Sequence, residues 1–235
     1  MSRASRGGGR LAAPLRASAI ALALVLAALL GCAEAADVEA GRRKAEVCAA
    51  CHGPGGNAVI PGTPSLSGMP AFYTHWQLNM YRDGRRRDPQ MTPFAEKLSD
   101  TDMADVSAYY AQQAAGPPRS AAAVDRARAE AGRPLAEQLH CTSCHGPTLM
   151  GQQAVPRLAG QDLAYLDKRL RGYQSRTTSD LDGQMTAIAQ PLTEADIRAL
   201  VHFMAGMTPR PAPAPGVPGA PGTSGAPGVP GAAGR

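Results

Sequence analysis

Apolar positions recur along this chain at helical spacing, and the same series appears twice. Trp76 and Met80 stand four residues apart, as do Leu166 and Leu170, so each pair predicts one face of an amphipathic helix. Two further series, Met103, Val106, Tyr109, Tyr110 and Ile197, Leu200, Phe203, Met204, predict a last helix in each half with a buried stripe. Ser99 and Thr193 stand ahead of these stripes with Asp102 and Asp196 three residues on, a start in the manner of a capping box. Upstream, Glu39-Ala40-Gly41-Arg42 and Glu130-Ala131-Gly132-Arg133 each open a short helical segment. Glycine inside a helix costs about 1 kcal/mol relative to alanine. Its recurrence at one repeat position predicts a close helix crossing, with Tyr109 and Phe203 packed against the two glycines. The fold class this pattern predicts is all-α, in two modules.

Between those helices the repeat carries chemistry. Cys48-Ala49-Ala50-Cys51-His52 occurs again as Cys141-Thr142-Ser143-Cys144-His145. A C-x-x-C-H run attaches c-type haem: the thiols form thioethers with the porphyrin vinyl groups, and the histidine binds the iron. Three other chemistries use C-x-x-C. Structural zinc pairs lie one short loop apart, whereas 89 residues separate Cys51 from Cys141. A thioredoxin-like pair needs a βαβ context, and these flanks read helical. A structural disulfide leaves both histidines unexplained. The motifs therefore predict two covalently bound haem c groups, with Cys48, Cys51, Cys141 and Cys144 as attachment points and His52 and His145 on iron.

Gly/Pro loops follow each motif, then Pro64-Ser65-Leu66-Ser67-Gly68 and Pro156-Arg157-Leu158-Ala159-Gly160. A backbone carbonyl at each proline phrase is predicted to accept the second N–H of the haem histidine. Tyr73 and Tyr165 stand five residues after each glycine, and Tyr81 and Tyr173 eight further on. A distal ligand on the iron decides between electron transfer and chemistry. His75, His140 and His202 have no repeat partner and read as ordinary histidines. Met91 and Met185 lie 39 and 40 residues after their histidines, each opening an M-T-x-x-A phrase, and are the expected sixth ligands. Histidine plus thioether saturates the iron and raises its potential, the ligand set of a one-electron carrier.

The two ends of the chain read differently. Arg3, Arg6, Arg10 and Arg16 precede an apolar run from Ala17 to Leu30, too short for a membrane span and suited to an export signal. Ala33-Glu34-Ala35 offers an ordinary cleavage site; Leu29-Leu30-Gly31-Cys32 offers a lipobox that would leave Cys32 lipidated. Both readings send the protein to the periplasm, soluble or lipid-anchored on the membrane face. From Gly216 to Gly234 glycine falls at every third position. So few triplets do not hold a triple helix alone, and the tail reads as disordered. The expected organisation is a signal over 1–35, domains over 36–116 and 129–207, a linker over 117–128 and a Gly/Pro-rich tail over 208–235.

Charge narrows the partners. The formal net charge is +5, and loss of residues 1–35 leaves 20 basic against 18 acidic residues. That balance gives no support for a nucleic-acid partner, which needs a dense basic face, and none is expected. The one basic cluster, Arg82-Asp83-Gly84-Arg85-Arg86-Arg87, reads as a solvated loop or, functionally, as a docking patch for an acidic redox partner.

The order C-x-x-C-H, P-x-L-x-G, M-T, L-[ST]-x-x-D, given twice over about residues 37–207, resembles the dihaem class I c-type cytochromes of the cytochrome c4 family. The resemblance implies two tandem class I cytochrome c domains with pseudo-twofold symmetry and haem propionates near their interface. It pairs His52 with Met91 on one iron and His145 with Met185 on the other. It implies an electron-transfer protein, not an enzyme, passing single electrons from a membrane cytochrome bc complex or dehydrogenase to a terminal oxidase or reductase. The alternative is a cytochrome subunit of a flavoprotein or alcohol dehydrogenase; a dihaem peroxidase needs an open iron, against which the paired methionines argue.

Overall fold

The helices begin where side chains satisfy the first free N–H groups. Asp37 accepts from Glu39 N and Ala40 N at the start of α1 (Val38–Lys44), and Asp125 accepts from Arg128 N at the start of α6 (Arg126–Gln138). The last helix of each module, α5 (Asp100–Gln112) and α10 (Glu194–Gly206), opens on a complete capping box built by Ser99 with Asp102 and Thr193 with Asp196. Between these lie α2 (Ala49–His52), α3 (Ala71–Arg82) and α4 (Thr92–Ala95) in the first module. The second repeats them as α7 (Cys141–His145), α8 (Leu163–Gln174) and α9 (Gln184–Ala189). The computed structural model describes residues 35–178 and 180–210, and among them no strand forms beyond one bridge between Gln152 and Val155. The all-α expectation holds. The signal-like segment with Cys32 and the glycine-periodic tail from Gly216 lie outside the described residues.

Helix α1 packs on α5 and α6 on α10, while α3 and α8 lie on the same last helices. Both crossings centre on the repeated glycines. A Cβ on Gly41 would stand 2.1 Å from the Asp105 carbonyl oxygen, and one on Gly132 would stand 2.2 Å from that of Ala199. The close approach read from the repeat is therefore present, but its partner is a backbone carbonyl. Phe203 Cβ does reach the Gly132 position, at 2.8 Å, whereas the nearest atoms to Gly41 belong to Asp105 and Val106 rather than Tyr109. Apolar positions of the last helices fill the cores: Val106 and Tyr110 in the first module, Ile197, Leu200, Val201 and Met204 in the second.

The P-x-L-x-G phrases lock onto these helices. Gly68 N donates to Tyr110 O and Gly160 N to Met204 O, each at 2.9 Å. His202 is buried and accepts from Asp125 N at 3.0 Å, so this histidine ties the entry of α6 to α10, as an ordinary structural histidine does.

From Asp37 onward the contacts join both modules into one compact unit. Their seam is largely polar. Gly62 N donates to Asp162 Oδ1 at 3.0 Å, Arg157 Nε donates to Ser67 O at 3.1 Å, and Lys168 pairs with Asp88 at 3.5 Å.

Gly41→Ala or Gly132→Ala forces the added methyl against a main-chain carbonyl that has no rotamer to retreat to. Each is expected to cost about 3 kcal/mol, the upper end for an overpacked site, read as a lowered midpoint in denaturant unfolding. Hydrogen bonds from Lys44 and Ser99 hold the Asp102 carboxyl below its usual range, and those from Thr193 do the same for Asp196. A carboxylate depressed in the fold stabilises it above the unfolded value near 4 and loses that contribution as pH falls. Stability should decline below about pH 4, and Asp102→Asn with Asp196→Asn should flatten the decline in acid unfolding curves.

Candidate functional site

One short helix in each module presents the cysteines and histidine together. Cys48 stands at the N-cap of α2 and Cys51 within it, while Cys141 and Cys144 both lie in α7; the spacing of three puts each pair on one helix face. Cys48 and Cys141 are half-buried, Cys51 and Cys144 exposed, and all four are free thiols. Burial pushes the Cys48 and Cys141 thiols up. They are accessible pairs without a disulfide, as thioether formation requires.

The chain then reverses. Gly53 and Gly146 follow the histidines at φ 75° and 80°, and at Gly53 a Cβ would meet Asn57 O at 1.9 Å, so only glycine turns here. Three residues on, the left-handed position is held by Gly56 in one module and by Leu149, at φ 54°, in the other. The carbonyls of those two residues each accept two N–H groups, from Leu66 and Ser67 and from Leu158 and Ala159. That folds the proline phrase back over the histidine. His52 Nδ1 lies 2.8 Å from Pro64 O, and His145 Nδ1 lies 2.8 Å from Pro156 O.

A carbonyl only accepts, so in both rings Nδ1 carries the proton and Nε2 keeps its lone pair. Both histidines are buried, at 5% and 4% exposure, and burial pulls both imidazoles below their ordinary range. Each ring thus presents an unprotonated Nε2, with the proline-phrase carbonyl that the sequence reading expected on Nδ1.

The methionine phrases are held alike. Asp88 Oδ1 accepts from Gln90 N and Met91 N, and Asp180 Oδ2 accepts from Met185 N at 2.6 Å. Thr92 and Thr186 close the same turns, through Asp88 N and Asp180 Oδ1. Met91 and Met185 are both half-buried at the start of α4 and α9. The aspartates escaped sequence reasoning because they stand at unequal offsets, three and five residues before the methionine.

The middle helices meet in a cluster of aromatics and cations. Arg86 Nη2 donates to Tyr165 Oη of the other module at 3.2 Å, and its guanidinium lies 4.5 Å from the Tyr81 ring centroid. Arg169 donates to Tyr173 Oη at 2.8 Å and lies 4.9 Å from that ring. Burial and the nearby Tyr165 push the Tyr73 hydroxyl well up. For Tyr165 burial acts upward too, but the flanking Arg86 and Arg169 outweigh it and hold the phenol below its usual range. Among the described residues neither arginine has a carboxylate partner. The basic run is therefore not one exposed patch: Arg85 pairs with Asp83, Arg82 with Asp100, and Arg86 turns inward. Beside it, Trp76, Met80 and Arg85 face Asp180 and Leu181 of the second module across a cleft.

Comparison with known proteins places this geometry among others. The family model for cytochrome c matches residues 38–113 and again 129–208. Cytochrome c4 of Pseudomonas aeruginosa is 37% identical over 196 residues, covering 78% of this chain and 96% of that protein. A thiosulfate dehydrogenase electron acceptor of Stutzerimonas stutzeri is 34% identical over 175 residues, covering 69% of this chain and 80% of the relative. Among solved structures, reduced recombinant cytochrome c4 from Pseudomonas stutzeri superposes with a TM-score of 0.68 at 33% identity, over 74% of this chain and all of that one.

Proposed function

The chain belongs to the cytochrome c family, in its two-domain cytochrome c4 group, and from that premise we propose which residues serve its two haems and which partners it meets. It carries two covalent haem c groups and is an electron-transfer protein, not an enzyme. When bound, each haem supplies a one-electron Fe(III)/Fe(II) couple.

Cys48 and Cys51 hold one haem in the domain over 36–116, and Cys141 and Cys144 hold the other in the domain over 129–207. His52 and His145 give Nε2 to the irons, and Met91 and Met185 give their thioethers. The single observation that carries this reading is the repeated pair of buried histidines, each with Nδ1 committed to a proline carbonyl and two free thiols alongside. Arg86 and Arg169 fit the anionic end of the group. Both are half-buried and lack a carboxylate partner among the described residues, and a propionate beside each would neutralise it.

The residues also set how electrons pass. With histidine and thioether both on the iron, oxygen and peroxide would find no open site, and electrons would pass instead to a docked protein. We read the carrier as periplasmic, taking electrons from a membrane cytochrome bc complex or a dehydrogenase and delivering them to a terminal oxidase or reductase. The relative named as a thiosulfate dehydrogenase electron acceptor favours a second reading, in which the donor is such a dehydrogenase. Mixing the ferric protein with each donor and timing its reduction separates the two.

Ferric and ferrous spectra of the purified protein should show two low-spin haems per chain, a thioether-to-iron charge-transfer band and no change with carbon monoxide. Met185→Ala should turn one haem high-spin and lower its potential; an unchanged ferric spectrum would remove Met185 from the iron. If Cys32 is lipidated, Cys32→Ser should move the protein from the membrane fraction to the soluble one or block its processing. Wild type found only in the soluble fraction would leave the Ala35 cleavage reading.

A further inference from the structure

The seam between the modules reaches the histidines through one peptide unit on each side. The carbonyl facing His52 is that of Pro64, and the N–H of the same peptide belongs to Ser65. Ser65 N donates to Gln161 Oε1, in the second module, at 2.7 Å. The carbonyl facing His145 is that of Pro156, and the N–H of that peptide belongs to Arg157. Arg157 N donates to Met69 Sδ, in the first module, at 3.3 Å. Gln161 and Met69 hold the same repeat position, directly after Gly160 and Gly68. Each peptide is thus gripped by the imidazole of its own module and by a side chain of the other.

We propose that these peptides form a crossed relay, in which Gln161 strengthens the hydrogen bond on His52 more than Met69 strengthens that on His145, and so lowers the midpoint potential of the His52 iron from across the seam. The proposal rests on the reading that both histidines bind iron.

The physical basis is the resonance of the peptide, which couples its N–H to its oxygen. An acceptor on the N–H raises the electron density of the carbonyl, and chained hydrogen bonds strengthen one another by roughly 10–30% per bond. A stronger carbonyl acceptor draws the Nδ1 proton, makes the imidazole more basic and favours the ferric state. An amide oxygen is a full acceptor and a thioether sulfur a weak one, so the two sides are unequal. Ser65, Met69, Arg157 and Gln161 are all buried, where water does not mask the difference.

The Gln161 amide is held in one orientation. Its Nε2 donates to Ser65 O at 2.9 Å while its Oε1 also accepts from Asp162 N at 2.9 Å. A flipped amide would set its NH₂ against two N–H donors.

The test exchanges the two side chains in the full haem-loaded protein: Gln161→Met, Met69→Gln and the double swap. Haem-methyl NMR signals, assigned to each module, are followed through a redox titration. Gln161→Met should raise the potential of the His52 haem, in the module that does not contain the substitution. The expected change is about threefold in its ferric-to-ferrous ratio, which at 59 mV per tenfold for one electron is about 28 mV. Met69→Gln should lower the His145 haem by a similar factor, and the double swap should do both. All three leave the charge of Arg157 in place.

A shift confined to the substituted module, equal shifts of both haems, or none would overturn the relay. Equal shifts are what a merely loosened seam would produce. Should Gln161→Met fail to load haem, Met69→Gln, which adds an acceptor, decides alone. Failure of the ligand reading is distinguishable, because wild type would then lack two low-spin haem signals.

Discussion

One peptide unit in each module, Pro64–Ser65 or Pro156–Arg157, carries the arrangement on which the rest depends. Its oxygen orients a buried imidazole, and its N–H is anchored across the seam. A metal-binding histidine free to rotate would offer either nitrogen; with Nδ1 fixed, only Nε2 remains. Much of the surrounding fold serves to place that carbonyl. The left-handed residue after the histidine turns the chain, the loop carbonyls of Gly56 and Leu149 draw the proline phrase back, and Gly68 and Gly160 pin it to the last helix. The glycine crossings at Gly41 and Gly132 then bring the helix that leads into the cysteines against that same last helix.

The modules share this plan while differing in the residues that meet between them. In the first, Gln77 on the middle helix faces Arg86 from the following loop. In the second the cation sits on the helix, as Arg169, and faces Thr178 from the loop at 3.4 Å. Gln77 and Arg169 hold equal repeat positions, four residues after Tyr73 and Tyr165, and Arg86 and Thr178 stand five after Tyr81 and Tyr173. Each module thus keeps one half-buried guanidinium over its second tyrosine, reached from opposite members of the same pair. What recurs is the charge, not its position in sequence.

That explains how far the sequence could be read. The helices, the capping boxes, the glycine crossings and the proline carbonyls were legible because each repeats at matching offsets and each has a local physical cause. The aromatic at Gly41 was misjudged because spacing shows which residues share a face, while the closest contact at a tight crossing is main chain. Arg86 was read with its charged neighbours, and nothing local marks it as the one that turns inward; its partner, Tyr165, stands 79 residues away. Gln161 and Met69 were missed for a related reason. Comparing repeats highlights identity, and these two matter through a difference at one matched position.

A seam of this kind constrains more than geometry. Arg157, at 2% exposure, is brought down to about 10 by burial and so stays protonated at neutral pH. Its guanidinium is satisfied by the carbonyls of Ser67 and Ala159 rather than by a carboxylate. With Arg86 and Arg169 it places three cations in the region where the modules meet. Cations gathered at a seam are stabilised by anions brought near them. Covalent haem brings carboxylates on the porphyrin edge. The seam contacts from Gly62 N to Asp162 Oδ1 and from Arg157 Nε to Ser67 O hold the two histidine-bearing modules in one arrangement, which is what passing an electron from one to the other requires.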